Sequence, residues 1–206
     1  MNSPQLAMRL GPRFCEAFLF AAEKHACQRR KKTDVPYISH LMSVAALVLE
    51  AGGGEDETIA GLLHDVVEDC GGRPVLEEVR QRFGERVANI VDGCTDAYVI
   101  PKPPWKKRKL DYLDVLRRAG EDVRLVSAAD KLHNVRTILA DFRREGDSVW
   151  ERFSGHREGT LWYYRAVLDV LCQGTPNRLL DELQRAVTEL ETLATKDRAQ
   201  ATSLPQ

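Results

Sequence analysis

Apolar residues recur along most of this chain at the three- and four-residue spacing of an amphipathic helix. In the segment Asp56–Asp69, one such stripe is formed by Ile59, Leu62, Leu63, Val66 and Val67. The same periodicity predicts helices over Arg13–Gln28, Tyr37–Ala51, Glu85–Cys94, Asp122–Asp141, Thr160–Leu171 and Asn177–Leu193. Glycine- and proline-rich segments separate these helices, and the run from Tyr98 to Ile100 is too short to predict a strand. The pattern therefore predicts an all-α fold.

Two segments do not follow the helical pattern and are interpreted as loop-like elaborations. Residues 97–109 mix prolines with a basic cluster, and residues 142–159 are rich in charge. Residues 196–206 contain few apolar side chains, which predicts a disordered C-terminal tail. With 206 residues the chain is long enough for one well-buried domain and short for two, so we assign residues 1–195 to a single domain.

Composition and charge narrow the class of protein. The chain is 43% hydrophobic and 30% charged, which is typical of a globular protein. Its net charge of −1 provides no general attraction for nucleic acid or anionic membranes. Its five scattered cysteines argue against a disulfide framework and favour a reducing compartment. No apolar run approaches the roughly 18 residues needed to span a bilayer. We expect a cytoplasmic protein without a membrane or nucleic-acid partner.

Three short motifs contain residues suited to binding a divalent metal. PYISH, LLHDVVEDC and SAADKLHNVRT supply two imidazoles and two carboxylates: His40, His64, Asp65 and Asp130. On a helix, the adjacent His64 and Asp65 point about 100° apart, so both reach one ion only if other helices supply further ligands. Mixed imidazole and carboxylate ligation favours Mn²⁺, Fe²⁺ or Zn²⁺. Such an ion activates water and neutralises charge that develops on phosphorus.

These motifs and their flanking residues resemble a known family. The chain resembles HD-domain phosphohydrolases, specifically the (p)ppGpp hydrolase domain of RelA/SpoT enzymes and the stand-alone small alarmone hydrolases of the metazoan SpoT-homologue type. The resemblance extends from about His25 to Asn177 and includes QRRK, PYISH, LLHDVVED, FGERVANIVDGCTD, ADKLHNVRT and WYYRAVLDVLCQGT. It implies a single helical HD-domain bundle that hydrolyses the 3′-pyrophosphate of a guanosine nucleotide. It also implies one Mn²⁺ held by His40, His64, Asp65 and Asp130.

The resemblance also implies a catalytic pair, Glu68 and Asp69, that positions and activates the attacking water. A carboxylate one turn from a metal ligand is able to accept a proton from metal-bound water. Two structural alternatives stay open: Glu68 would orient His64 as a hydrogen-bond partner, and Asp69 would cap the end of its helix.

Candidate substrate contacts follow from the same resemblance. Arg30 and Lys31 match a pair that lies beside the purine and phosphates, with a solvated charge run as the alternative. Further along the chain the candidates are Arg108, Lys131, Asn134, Thr137, Tyr163 and Tyr164. Asn134 should share the helix face of Asp130, and one of the two adjacent tyrosines should face the core. We interpret His133 as a packed core histidine and Arg136 as structural.

Departures from the family pattern leave the substrate open. Leu41 follows PYISH where proline is usual, and Ala128 precedes Asp130 by two residues where leucine is common. None of these positions is a metal ligand or part of the acidic pair. The favoured substrate is (p)ppGpp, and the alternatives are another nucleotide, such as NADPH or a nucleoside monophosphate, and a regulatory HD domain that binds a nucleotide without turning it over.

Overall fold

The computed structural model describes residues 10–202, and for residues 196–202 it describes the backbone alone. Within this range lie ten α-helices and one 3-10 helix: α1 (Pro12–Lys24), α2 (Ile38–Glu50), α3 (Glu55–Leu63), α4 (Val66–Cys70), α5 (Arg73–Phe83), α6 (Glu85–Cys94), α7 (Trp105–Arg118), α8 (Glu121–Glu145), the 3-10 helix (Gly146–Arg152), α9 (His156–Leu171) and α10 (Arg178–Thr202). The described residues contain no strand, and their one β pairing is an isolated bridge between Arg29 and Pro36. The prediction of an all-α fold is confirmed.

Helix α8 lies at the centre of the bundle and packs against α2, α3, α6, α9 and α10. Its residues Val126, Leu132 and Val135 are fully buried, and each such side chain stabilises the fold by about 1.5–3 kcal/mol. Acidic Glu121 and Asp122 in its first turn complement the helix dipole. This central position makes α8 a rigid support for Asp130, which lies near its middle.

Helices α2 and α3 pack closely against each other because α3 carries a glycine at the contact. A Cβ atom on Gly61 would lie 3.2 Å from the Cα atom of Ala45 on α2, closer than nearly all real contacts of this kind. The small residues at this crossing bring His40 of α2 and His64, just beyond α3, to the same side of the bundle.

The helix predicted over Asp56–Asp69 is interrupted at His64 and Asp65. Helix α3 ends at Leu63 and α4 begins at Val66. At Asp65 the backbone leaves regular helical geometry, with φ −99° and ψ −6°. The two adjacent side chains meet at one centre together with His40 and Asp130 from other helices, as the sequence required for a shared ion.

Strongly charged helices account for the remaining differences from the predicted elements, and the two segments predicted as loop-like elaborations are partly helical. Helix α5 was not predicted, although Val75, Leu76, Val79 and Phe83 form a buried stripe along it. Helix α7 begins inside the presumed elaboration at residues 97–109 and buries Tyr112, Leu113 and Leu116. The presumed elaboration at residues 142–159 is largely helical as well, because α8 continues to Glu145 and the 3-10 helix follows it.

The C-terminal helix α10 continues to Thr202, and residues 203–206 lie outside the described residues. The tail predicted for residues 196–206 falls partly on this helix and partly beyond it, so it stays a prediction. Among the described helices, none combines the length and the apolar character needed to cross a membrane.

Candidate active site

The four candidate metal ligands converge from three parts of the fold: α2, the α3–α4 break and α8. The Nε2 atom of His40 lies 3.5 Å from Asp65 Oδ2 and 3.2 Å from Asp130 Oδ1. The Nε2 atom of His64 lies 3.0 Å and 3.6 Å from the same two oxygens. Ligand atoms of His40, His64 and Asp65 all fall within 4.8 Å of one another, which is compact enough for one ion.

The two nitrogens of His64 have different environments. Its Nδ1 donates to the Gly61 carbonyl at 2.9 Å, which leaves a lone pair on Nε2 directed into the site. This Nε2 is buried and has no hydrogen-bond partner, although Asp65 Oδ2 is near. Such orphaned buried atoms are rare in proteins. Burial disfavours protonation of His64, but Asp65 and Asp130 outweigh it and raise its pKa well above the usual value. In the absence of a metal, a proton on Nε2 therefore occupies the position that a bound cation would take. An unpartnered nitrogen between two carboxylates fits a divalent cation.

His40 is oriented by a second histidine. The Nδ1 atoms of His40 and His133 lie 2.7 Å apart. Burial, followed by the charges of His40 and Arg30, lowers the pKa of His133 to about 4, so this ring is neutral and able to accept a hydrogen bond. The interpretation of His133 as a packed core residue is wrong: it is half-buried and is the partner of a candidate metal ligand.

Each candidate carboxylate ligand is held by its own donors. The Tyr37 hydroxyl donates to Asp65 Oδ2 at 2.5 Å. Lys131 Nζ donates to Asp130 Oδ2 at 2.5 Å, and the Asn134 amide donates to Asp130 Oδ1. Outer partners of this kind fix the orientation of metal ligands. Lys131 and Asn134, which the sequence suggested as substrate contacts, therefore also position Asp130.

The acidic pair lies on α4, and a lysine that sequence reasoning missed lies between its two members. Lys102 Nζ donates to Glu68 Oε1 at 2.7 Å and to Asp69 Oδ1 at 2.9 Å. Burial, together with the charges of Asp96 and Asp65, raises the pKa of Glu68 to about 7, against the opposing effect of Lys102. The alternative in which Glu68 orients His64 is not realised, because Gly61 holds the other nitrogen of that ring.

An open cleft of about 450 Å³ begins at Asp65 and Asp130. All eight residues proposed as substrate contacts line it: Arg30, Lys31, Arg108, Lys131, Asn134, Thr137, Tyr163 and Tyr164. Further cations and aromatic rings in the lining were not anticipated: Lys102, Trp105, Lys109, Arg152 and Phe153. Burial, followed by the neighbouring Lys109, lowers the pKa of Lys31 against the opposing effect of Glu68.

The planar groups along the cleft are the guanidinium of Arg30 and the tyrosine rings. Arg30 donates to Asn134 Oδ1 at 2.9 Å, and its guanidinium lies 5.7 Å from the centre of the Tyr37 ring. Tyr163 and Tyr164 are both buried and both line the cleft, so the structure does not divide them into one tyrosine that faces the core and one that faces the cleft. Their rings are neighbours in the cleft wall, with ring centres 5.7 Å apart.

The two remaining predicted positions have different roles. Arg108 donates to Asp96 Oδ1 at 2.5 Å and lies 3.8 Å from Glu68 Oε1, so it borders the acidic pair. Thr137 lines the cleft, and its hydroxyl donates to the His133 carbonyl at 2.9 Å. Arg136 is exposed and pairs with Glu182, as expected for a structural residue.

A protein-family model described as HD domain matches residues 17–161. The chain belongs to the HD domain family. Its helical fold and its paired histidine and aspartate are those that the sequence predicted for an HD-domain phosphohydrolase.

Individual HD-domain relatives match most of the chain. The guanosine-3′,5′-bis(diphosphate) 3′-pyrophosphohydrolase MESH1 of Xenopus tropicalis is 40% identical over 126 residues, which cover 60% of this chain and 68% of that protein. The Mus musculus protein of the same name is 34% identical over 177 residues, covering 84% of this chain and 92% of that protein. A solved structure of a metazoan ortholog of SpoT, which hydrolyses ppGpp and plays a role in starvation responses, is 27% identical with a TM-score of 0.75, covering 89% of this chain and 98% of that one.

Proposed function

We propose that this HD-domain protein is a cytoplasmic, Mn²⁺-dependent enzyme that hydrolyses the 3′-pyrophosphate of (p)ppGpp, releasing pyrophosphate and leaving GDP or GTP. The relatives named as 3′-pyrophosphohydrolases support this substrate. One observation carries the proposal: the His40, His64, Asp65 and Asp130 cluster opens into a cleft whose remaining walls hold cations and aromatic rings. A metal centre at one end and phosphate-binding cations along the walls suit a nucleotide with more than one phosphate group.

The four converging side chains would hold the metal ion. The mixed imidazole and carboxylate set supports Mn²⁺, with Fe²⁺ and Zn²⁺ as the alternatives. When bound, such an ion lowers the pKa of a coordinated water and neutralises charge that develops on phosphorus. The chain itself keeps both imidazoles in the correct tautomer through Gly61 and His133.

Glu68 is the proton acceptor in this proposal. Its pKa of about 7 places it near the operating pH, where a general base is most effective. It lies on α4, three residues after Asp65, and lines the same cleft as Asp65 and Asp130. Asp69 has both carboxylate oxygens engaged by donors, so we assign it a positioning role.

The cations of the cleft are assigned to the phosphates. Lys102 and Arg108 border the acidic pair and would contact the departing pyrophosphate, while the Lys31 ammonium lies 5.9 Å from the centre of the Phe153 ring. Arg30 offers a planar guanidinium on which a purine can stack. Removing one donor that stabilises developing charge costs about 10²–10³ in kcat, whereas removing a contact made equally in the ground state raises KM.

A nucleotide panel tests the substrate. Metal-loaded protein is incubated with ppGpp, pppGpp, NADPH and nucleoside monophosphates, and the products are identified as pyrophosphate or orthophosphate. We expect pyrophosphate from the two guanosine tetra- and pentaphosphates at a kcat/KM well above that of any other nucleotide. Orthophosphate from NADPH or a monophosphate as the main product would overturn the alarmone assignment, and tight binding without turnover would indicate a regulatory domain.

A further inference from the structure

His25, which follows α1, is a buried titratable residue outside the metal cluster. Its side chain is 3% exposed, and its Nδ1 lies 2.6 Å from Gln28 Oε1. An amide oxygen only accepts hydrogen bonds, so His25 Nδ1 must carry the proton. The opposite amide orientation would place the Gln28 oxygen against the Asp69 carboxylate, two acceptors facing each other, and is excluded.

The orientation of Gln28 determines the environment of Asp69. Gln28 Nε2 donates to Asp69 Oδ2 at 2.9 Å, and Lys102 donates to the other oxygen. The hydrogen bonds from His25 to Gln28 and from Gln28 to Asp69 therefore supply one of the two side-chain donors that hold this carboxylate.

The same imidazole also supports a metal-ligand candidate. The His25 ring stacks on Tyr37 with ring centres 5.1 Å apart and an interplanar angle of 22°. The Tyr37 hydroxyl donates to Asp65 Oδ2 at 2.5 Å. A backbone hydrogen bond of 3.0 Å from the Tyr37 N–H to the Gln28 carbonyl links the contacts through Gln28, the Gln28 branch, to those through Tyr37, the Tyr37 branch.

We propose that His25 is a positioning residue that acts on Asp69 through Gln28 and on Asp65 through Tyr37. His25 and Gln28 are not among the residues that line the cleft as described, so they act on the reaction through these carboxylates. The kinetic part of this inference rests on the proposed hydrolase function, and the metal-binding part does not. The buried His25 ring would thus fix the orientation of Asp69 in the acidic pair and of Asp65 in the metal site.

The Gln28 branch is tested by a double-mutant cycle. His25→Phe retains a ring over Tyr37 and loses the donor to Gln28, and Gln28→Leu loses the donor to Asp69. We expect each variant to lower kcat about tenfold, with KM for ppGpp and metal affinity close to wild type. In an Asp69→Asn background, each substitution should lower kcat by less than about twofold further, because the group through which it acts is already changed.

If the effect of each substitution on kcat were fully additive with that of Asp69→Asn, the Gln28 branch would be overturned. Wild-type kcat in both single variants would overturn it as well. Cys70→Ala is the matched control, because its thiol contacts the His25 ring at 3.8 Å and donates to neither acidic residue. We expect this variant to change thermal stability without changing kcat. An equal loss of kcat in Cys70→Ala would show that the His25 effect is a general packing effect and would overturn the inference.

The Tyr37 branch is tested by metal binding, without any substrate. Calorimetric titration of apo-protein with Mn²⁺ compares His25→Phe with His25→Leu, which loses the ring stacked on Tyr37. We expect His25→Leu to weaken Mn²⁺ binding about tenfold and His25→Phe to leave it unchanged. Equal affinities in His25→Leu and wild type would overturn this branch. If wild-type protein released no pyrophosphate while His25→Leu still weakened Mn²⁺ binding, the substrate assignment would fail and the positioning role would stand.

Discussion

The Nδ1 atoms of His40 and His133 face each other at 2.7 Å. Two imidazole nitrogens attract only when one carries a proton and the other a lone pair. The pKa of His133 is lowered to about 4, so His133 is neutral and has one ring nitrogen able to accept. For His40 to present the lone pair of Nε2 to a metal, its proton must lie on Nδ1, which then donates to His133. In this tautomer the Nε2 lone pair of His40 points toward Asp65 Oδ2 and Asp130 Oδ1, 3.5 Å and 3.2 Å away.

We predict that His133→Phe weakens divalent-metal binding by about 10–100-fold, because His40 loses the acceptor that fixes its tautomer and orientation. Calorimetric titration of the metal-free variant with Mn²⁺ measures the change. Arg136→Ala is the matched control, since Arg136 lies on the same helix and pairs with Glu182 on the surface. Wild-type affinity in His133→Phe would contradict the assigned role.

The candidate metal ligands were predictable from sequence, whereas their hydrogen-bond partners were not. His64 and Asp65 occur together in a recognisable motif, and the helical periodicity showed that His40 and Asp130 lie on other helices. The role of His133 depends on the crossing of α2 and α8, which no local pattern encodes. Lys102 was missed for a related reason, because a lysine among prolines gives no signal of the carboxylates it faces in the fold.

Lys102 connects the acidic pair to the pH dependence of turnover. Its charge and hydrogen bond lower the pKa of Glu68, against burial and the charges of Asp96 and Asp65, which raise it to about 7. Removing this cation in Lys102→Met should raise the pKa of Glu68 further. Since Glu68 must be deprotonated to accept a proton, we predict that the acidic limb of the kcat/KM profile moves to higher pH.

The pH profile of kcat/KM with ppGpp, measured for the wild type and for Lys102→Met, tests this prediction. Lys107→Met is the control, because Lys107 is exposed and pairs with Asp111. An acidic limb that stays in place or moves to lower pH in Lys102→Met would argue against Glu68 as the proton acceptor.

Asp96 should contribute to stability in a pH-dependent manner. Its side chain is 4% exposed and lies 2.5 Å from both Arg108 and Lys109. Burial opposes ionisation, but Lys109 and Arg108 outweigh it and lower the pKa of Asp96 to about 2. Because this value is below that of the unfolded chain, about 3.9, the ion cluster stabilises the fold by about 2–3 kcal/mol above pH 4, and this contribution is lost as the pH falls toward 2.

We predict that Asp96→Asn lowers the free energy of unfolding by about 3 kcal/mol at pH 7, because it leaves two cations partly buried without their partner. Urea denaturation at pH 7, 5 and 3.5 should show this difference shrinking at the lowest pH. Asp114→Asn, at an exposed position paired with Arg117, should change stability by less than about 1 kcal/mol. A difference between Asp96→Asn and wild type that is the same at every pH would contradict the ion-cluster account.

The helices missed by sequence reasoning share one property. In α5 and α7 charged residues outnumber apolar ones, so the buried stripe is narrow, as Val79 and Phe83 on α5 show. The core supplies the stability of such helices, which local propensity does not reveal. The break at His64 and Asp65 escaped prediction for the opposite reason, because an uninterrupted apolar stripe runs through Leu63 and Val66.

The central claim is that a metal held by the histidine and aspartate cluster supports release of pyrophosphate from ppGpp. The most direct measurement is ³¹P NMR of ppGpp turnover by wild-type and Asp65→Ala protein, each stripped with a chelator and reloaded with Mn²⁺, with bound metal quantified in the same samples. We expect wild-type protein to yield GDP and pyrophosphate, and Asp65→Ala to lose both bound Mn²⁺ and product. Pyrophosphate release by Asp65→Ala at the wild-type rate, or orthophosphate as the sole product of the wild type, would contradict the claim.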